Sequence, residues 1–291
     1  MSDVISFAIS DWNLACPSEA QERATRALEA GKVLLFPQLR FPIENGEAQL
    51  LSPIAAGRAK NVSLDPASGR VRGSDADPAE LKLLQNMMTR WATLSKKLVC
   101  QLLPHYAMAL QQARTSYRPV EVAGRPTSWR KDDTRLHVDS FPSSPVHGRR
   151  ILRVFTNLHP QGVTRKWRLG EPFEALAQHF VPSIPGPLPG SSFVLNALGV
   201  TKSRRSAYDH FMLQLHDRMK ADADYQAKAV RESFEFPSGV TWMVYTDQVS
   251  HAAMGGRYAL EQTFLLPVEA MRDPARSPLR VLEKLRGHAL A

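Results

Sequence analysis

TRLHVDSF (residues 134–141) is followed closely by RILRVFTNLHP (150–160), and the reading of these two stretches decides the fold. Both are short, rich in β-branched and aromatic residues, and bounded by proline or glycine, which is the signature of strands. SSFVLNAL (191–198), GVTWMVYTDQVSHA (239–252) and RYALEQTFLLP (257–267) have the same character. Between them, FEALAQHF (173–180) and SAYDHFMLQLHDRMKADADYQAKA (206–229) keep helical spacing and read as insertions. VPSIPGPLPG (181–190) holds four prolines and is expected to be an irregular loop. The expectation is an α+β protein with a β-barrel or jelly roll over residues 120–268 and a helical insert at about 171–232. A parallel βαβ sheet fits poorly, because strands and helices do not alternate and no glycine-rich phosphate loop follows a strand.

Outward from this core, residues 1–119 read as mainly helical. Ser18 is the expected N-cap of SEAQERATRALEAGK, with Gly31 as its stop signal, and KVLLFPQL (32–39) follows as a strand. Asp77-Pro78 starts a helical pattern running to Ala113, which Pro104 is expected to break or kink into two helices. SPLRVLEKLRGHAL (277–290) gives a C-terminal helix within 269–291. No internal repeat is present, and residues 1–291 are expected to form a single catalytic domain.

Composition narrows the class. The 291 residues are 43% apolar and 22% charged, which excludes disordered, collagen-like and coiled-coil chains. Two cysteines, Cys16 and Cys100, match no metal spacing or disulfide framework, and their scarcity favours a reducing compartment. No run approaches the ~18 apolar residues of a membrane span. The N-terminus begins acidic, with no basic residue before Arg23, unlike a secretory signal. A cytoplasmic protein is expected.

Charge is unevenly placed. The chain carries +9, and residues 125–168 alone carry +7. Arg125, Arg130, Lys131, Arg135, Arg149, Arg150, Arg153, Arg165, Lys166 and Arg168 stand there against Asp132, Asp133 and Asp139. Such a concentration implies an anionic partner: nucleic acid, an acidic membrane surface or an acidic small molecule. A solvated basic face is the plain alternative.

His137 and Asp139 are two apart in an expected strand, so their side chains share a face and can meet one ion. An imidazole with a carboxylate suits Fe(II) in a site of two histidines and one carboxylate. His251 is the candidate third ligand. Arg257, six residues on and past the Gly255-Gly256 turn, is expected on an adjacent antiparallel strand, where its guanidinium can clamp a carboxylate. His210 and His216 lie six apart on an expected helix, share no face and are set aside. A zinc hydrolase is the nearest chemical competitor, since the same ligand types hold catalytic zinc.

His137-x-Asp139, His251 and Arg257 within GGRYALEQTFLLP resemble the Fe(II)/2-oxoglutarate-dependent oxygenases. WRKDDTRLHVDSFPSSPVHGRRILRVFTNLHP (129–160) with RKWRLGEPFE (165–174) is similar to the 3-deoxy-D-manno-oct-2-ulosonic acid (Kdo) hydroxylases of Gram-negative bacteria, over nearly the whole chain. The resemblance implies a double-stranded β-helix with His137, Asp139 and His251 as ligands of Fe(II). It also implies oxidation of 2-oxoglutarate by O2 to succinate and CO2, coupled to hydroxylation at C3 of Kdo on a lipid A precursor, giving Ko. Arg257 is the implied anchor of 2-oxoglutarate; its spacing from His251 is shorter than usual, so Arg150 or Arg153 are alternatives, and Asn157 is a candidate donor to the cosubstrate. Arg130, Lys131, Arg135, Arg165, Lys166 and Arg168 are candidate contacts for the substrate's carboxylate and phosphates. Trp129 and Trp167 are candidates for stacking on sugar faces. Under this reading the protein meets the cytoplasmic face of the inner membrane peripherally, and no nucleic-acid partner is expected. The alternatives are an oxygenase acting on another anion such as nucleic acid, and a non-catalytic basic barrel.

Overall fold

Residues 3–13, 15–52, 61–124 and 127–291 are described by a computed structural model; Arg125 lies outside them. In chain order the elements are β1 (Val4–Ser6), α1 (Ser18–Glu29), β2 (Val33–Phe36), β3 (Val62–Leu64), β4 (Val71–Arg72), α2 (Pro78–Leu102) and β5 (Gln111–Arg118). Then come β6 (Arg150–Asn157), β7 (Arg165–Leu169), α3 (Phe173–Phe180), α4 (Ser191–Ala197), α5 (Ala207–Ala221) and α6 (Ala223–Lys228). The chain closes with β8 (Glu232–Phe236), β9 (Thr241–Tyr245), β10 (His251–Gly255), β11 (Ala259–Leu266) and α7 (Pro278–Arg286).

The strands form two sheets, β1-β2-β9-β6-β11-β5-β3-β4 and β10-β7-β8. β6 lies inside the larger sheet, antiparallel to both β9 and β11, and all of its residues are buried. Its alternation sorts the interior. Leu152 and Val154 belong to the large apolar cluster that includes Leu84, Met88 and Trp91 of α2. Phe155 belongs to a second cluster with Trp242 of β9, Trp167 of β7 and Ala253 of β10, which fills the space between the sheets. This is the α+β jelly-roll architecture expected from the strand-rich core.

Local differences have identifiable causes. Asp77 caps α2 by accepting from the Ala79 and Glu80 amides, as expected, but Pro17 rather than Ser18 is the N-cap of α1. Past Pro104 there is no second long helix. Gln111–Arg118 extends instead, because β5 is held between β11 and β3 and tertiary pairing overrides local propensity. TRLHVDSF contributes only a single bridge, His137 to His251. SSFVLNAL is the helix α4, not a strand, and buries none of its residues. GVTWMVYTDQVSHA divides into β9 and β10, one in each sheet. Consequently β10 and β11 are not a paired hairpin: β10 pairs with β7, and β11 with β5 and β6.

Candidate active site

The His137–His251 bridge closes the second sheet on its open side. The two residues exchange backbone hydrogen bonds at 3.0 and 2.9 Å, and their rings lie 4.7 Å apart between centroids. The Asp139 amide donates to the Thr246 carbonyl at 2.7 Å, which fixes the third residue against the turn before β10. One ligand-type atom from each of His137, Asp139 and His251 falls within 4.8 Å of the others, all buried.

The surroundings determine which imidazole nitrogen is free. His137 Nδ1 lies 2.8 Å from the Arg135 carbonyl, and His251 Nδ1 lies 2.8 Å from the Val249 carbonyl. A carbonyl only accepts, so each Nδ1 carries the proton and each Nε2 keeps its lone pair, the arrangement that orients histidines for metal binding. Burial, with His251 and Lys220 nearby, holds the His137 imidazole well below its ordinary pKa. Burial also lowers that of His251, with Asp139 opposing. Burial pushes the Asp139 carboxyl up, but Arg153 and both imidazoles outweigh it and keep its pKa well below the carboxylate range. Asp139 Oδ2 faces Arg153 Nη2 at 3.1 Å, which holds the carboxylate ionised. Two neutral imidazoles and an ionised carboxylate fit a divalent ion such as Fe(II).

Above the triad is a chamber of about 320 Å³, lined by Arg118, Arg130, Lys131, Asp133, Arg153, Arg165, Trp167, His216, Lys220 and Ala253 among others. Trp167 stacks on His251 at 5.1 Å. A groove of about 510 Å³ opens beside it and shares Asn61, Arg118, Phe141, Pro142 and Arg153 with the chamber.

Residues 11–289 match the family model described as 3-deoxy-D-manno-oct-2-ulosonic acid (Kdo) hydroxylase. The chain belongs to the Kdo hydroxylase family. Among solved structures it is similar to the Kdo hydroxylase KdoO, a non-heme Fe(II) alphaketoglutarate-dependent dioxygenase, in complex with cobalt(II): 46% identity, 99% of this chain and 97% of that chain covered, TM-score 0.96. The same protein in complex with alphaketoglutarate and Fe(III) matches at 46% identity with the same coverage and TM-score 0.95. Its complex with succinate and Fe(III) matches at 45% identity, again covering 99% and 97%, with TM-score 0.95. No curated protein matches the chain significantly.

Within this Kdo hydroxylase fold the expected basic residues separate sharply. Arg257 is absent from the chamber lining; its guanidinium lies over the Tyr258 ring at 4.9 Å. Its expected position rested on a β10–β11 hairpin that the fold does not form. Arg150 is fully buried away from the chamber, bonded to Asp247 at 2.8 Å and stacked on Tyr245 at 3.7 Å. Asn157 serves the backbone, donating to the Val163 and Phe236 carbonyls at 3.0 Å each. Arg153, three residues from Arg150 and so on the opposite face of β6, points into the chamber.

Alternation along β7 divides the second basic cluster in the same way. Arg165 and Trp167 face inward and are buried, whereas Lys166 is exposed and Arg168 half-exposed on the outer face. Lys166 pairs with Glu235 at 3.2 Å, outside the chamber. Arg130 and Lys131 line the chamber; Arg130 stacks on Trp129 at 4.1 Å and pairs with Asp217 at 3.0 Å. Arg135 is turned away, donating to the Lys220 carbonyl at 2.8 Å.

Arg165 differs from its neighbours. It is 2% exposed, has no carboxylate within ion-pair distance among the described residues, and its Nε lacks a partner. Its Nη1 donates to the Gly256 carbonyl at 3.1 Å. Burial, then Arg118, brings its guanidinium pKa down to about 10. Arg118, by contrast, pairs with Glu261 at 2.6 Å and Asp133 at 3.6 Å. A buried cation lacking a countercharge is costly, and an anionic ligand relieves it.

Three chamber residues escaped the sequence reading. Arg118 falls within residues 1–119, read as mainly helical, although Gln112, Arg114, Ser116 and Arg118 alternate with Thr115 and Tyr117, a period-two signal. His216 was set aside for not sharing a face with His210, yet its ring stands 5.4 Å from that of His137. Lys220, one helical turn further along α5, lines the same wall, with Nζ donating to the Arg130 carbonyl at 3.1 Å.

Proposed function

We propose that this chain is an Fe(II)- and 2-oxoglutarate-dependent oxygenase that hydroxylates C3 of Kdo on a lipid A precursor. The observation that carries the reading is the buried triad with both Nδ1 atoms committed to carbonyls, in a chain that belongs to the Kdo hydroxylases. His137, Asp139 and His251 would hold the iron, which supplies O2 activation coupled to decarboxylation of 2-oxoglutarate to succinate. The protein itself orients the ligands and neutralises two anions.

Arg165 takes the anchoring role that the sequence assigned to Arg257. Among the described residues it is the chamber arginine with no carboxylate in ion-pair distance, so the distal carboxylate of 2-oxoglutarate would supply its missing charge. The groove alongside would hold the rest of the substrate. Arg114, Arg149 and Lys202 line it and make no ion pair among the described residues, as a phosphorylated saccharide requires. Residues 1–291 would act as one catalytic unit on the cytoplasmic face of the inner membrane. No helix among the described residues is long and apolar enough to cross a membrane, so contact with that surface would be peripheral.

The test is reconstitution with Fe(II), 2-oxoglutarate, ascorbate and a Kdo-capped lipid A precursor, followed by mass spectrometry. One added oxygen atom on the Kdo unit, with succinate formed in equal amount, is the expected result. Succinate formation driven only by other anions would overturn the substrate assignment, and retained turnover in Asp139→Ala would overturn the metal assignment.

A further inference from the structure

The α4 segment is built unlike the rest of the molecule. Phe193 and Val194 of α4 and the flanking Leu188, Leu198 and Val200 are 50–77% exposed, and the helix buries none of its own residues. Internal hydrogen bonds keep it ordered: Leu198 bonds back to Val194, and Val200 and Thr201 to Leu195. An ordered segment that leaves its apolar side chains exposed implies an external apolar phase or partner.

Its electrical surroundings select which. Residues 175–208 contain no aspartate or glutamate, and Lys202, Arg204 and Arg205 follow the apolar stretch directly. Arg204 lies over the Phe193 ring at 4.9 Å, so one cation shares the surface of the apolar patch. Exposed apolar side chains followed by cations match an anionic lipid interface, where rings and aliphatic chains enter the acyl boundary and cations meet phosphates. A second copy of the chain fits less well. A stable dimer uses about 20–30 residues on each side, against a handful here, and like cations would face one another.

The patch also adjoins the groove. The Lys202 amide donates to the Ser143 carbonyl at 2.9 Å and Ser203 Oγ lies 3.0 Å from His147 Nε2, tying the segment to the 141–149 loop. Lys202 and Ser203 themselves line the groove. A surface holding α4 would therefore lie at the groove's rim.

We infer that α4 and its flanking cations dock this enzyme on an anionic phospholipid surface, bringing the groove to a lipid-linked substrate. The inference deepens the proposed function and rests on its lipid-linked substrate. It is tested by flotation with vesicles of phosphatidylethanolamine and phosphatidylglycerol, against phosphatidylcholine alone, for the full chain and for F193S/L198S and Arg204→Glu. Wild type floats with the anionic vesicles, less so as salt rises. The double variant partitions at least about tenfold less, and Arg204→Glu also loses affinity. All three melt alike and turn over a water-soluble Kdo glycoside equally.

Absence of wild-type flotation, or undiminished flotation of the double variant, overturns the inference. So does a wild-type dimer in sedimentation that the double variant dissolves, which would make a second copy the occupant. A protein that hydroxylates the soluble glycoside but ignores vesicles sinks the docking alone. One that floats but oxidises no Kdo compound sinks the activity alone.

Discussion

Arg153 stands between two buried carboxylates, 3.1 Å from Asp139 and 3.0 Å from Glu261. Glu261 is also held by Arg118, so removing Arg153 leaves Asp139 as the uncompensated charge. Arg153→Met should destabilise the metal-free protein by about 3 kcal/mol, the cost of orphaning a buried charge. Cobalt(II) should restore part of that loss by acting as the new countercharge. Thermal melts with and without cobalt measure both effects; equal melting of variant and wild type would show that the ion pair is not what holds Asp139.

The proposed ligands lead to a direct expectation. Alanine at His137, Asp139 or His251 should reduce cobalt(II) affinity by more than about a hundredfold, because outer-shell changes alone reach that range. Turnover should vanish while the far-ultraviolet spectrum stays unchanged. Calorimetric titration with cobalt separates lost metal binding from lost folding, and tight binding by any of the three would remove that residue from the set.

Arg165→Met should raise the KM for 2-oxoglutarate about a hundredfold, in line with the loss of a charge-assisted bidentate contact. Metal affinity should be unaffected. Arg257→Met should alter neither quantity. Direct titration of 2-oxoglutarate into the metal-loaded variants decides between the two arginines.

Gly256 adopts φ +105°, and a Cβ there would sit 2.9 Å from the Arg165 Cα. Gly256→Ala should therefore strain the backbone by about 1–3 kcal/mol and displace Arg165 as well. Both a lower melting temperature and weaker 2-oxoglutarate binding are expected; a loss of stability without a change in binding would uncouple the turn from the anchor.

Glu29 carries a pH dependence remote from the site. Burial raises its pKa, but the His105 imidazole 3.8 Å away and hydrogen bonds from Tyr106 and the Arg272 and Asp273 amides outweigh it, leaving the carboxyl below its ordinary value. A depressed folded pKa gives stability that is fully present above the unfolded value and lost as pH falls through the folded one. Glu29→Gln should cost about 1–2 kcal/mol at pH 7. The gap from wild type should close on acidification below the ordinary glutamate range. Melts across that range check the sign, and a gap that widened in acid would reverse it.

The strand-rich core, the three candidate ligands and the basic segment are all legible in the chain, because residue type and short-range spacing record chemistry and burial. His137, Asp139 and His251 needed only a β-rich interior to be brought together. Period-two alternation also records which residues share a face: Arg150 and Arg153 are necessarily on opposite sides of β6. What it does not record is which side faces the chamber. That depends on the neighbouring sheet, and so only the tertiary structure separates Arg165 from Lys166, pairs Arg150 with Asp247, and carries β10 and β11 into different sheets away from a hairpin. The helical character of Gln111–Ala113 and the strand character of SSFVLNAL were likewise reversed by partners distant in the chain, or by their absence. Sequence fixes the chemical groups; the countercharges each group receives are set by long-range packing, and those decide which cation remains open to a ligand.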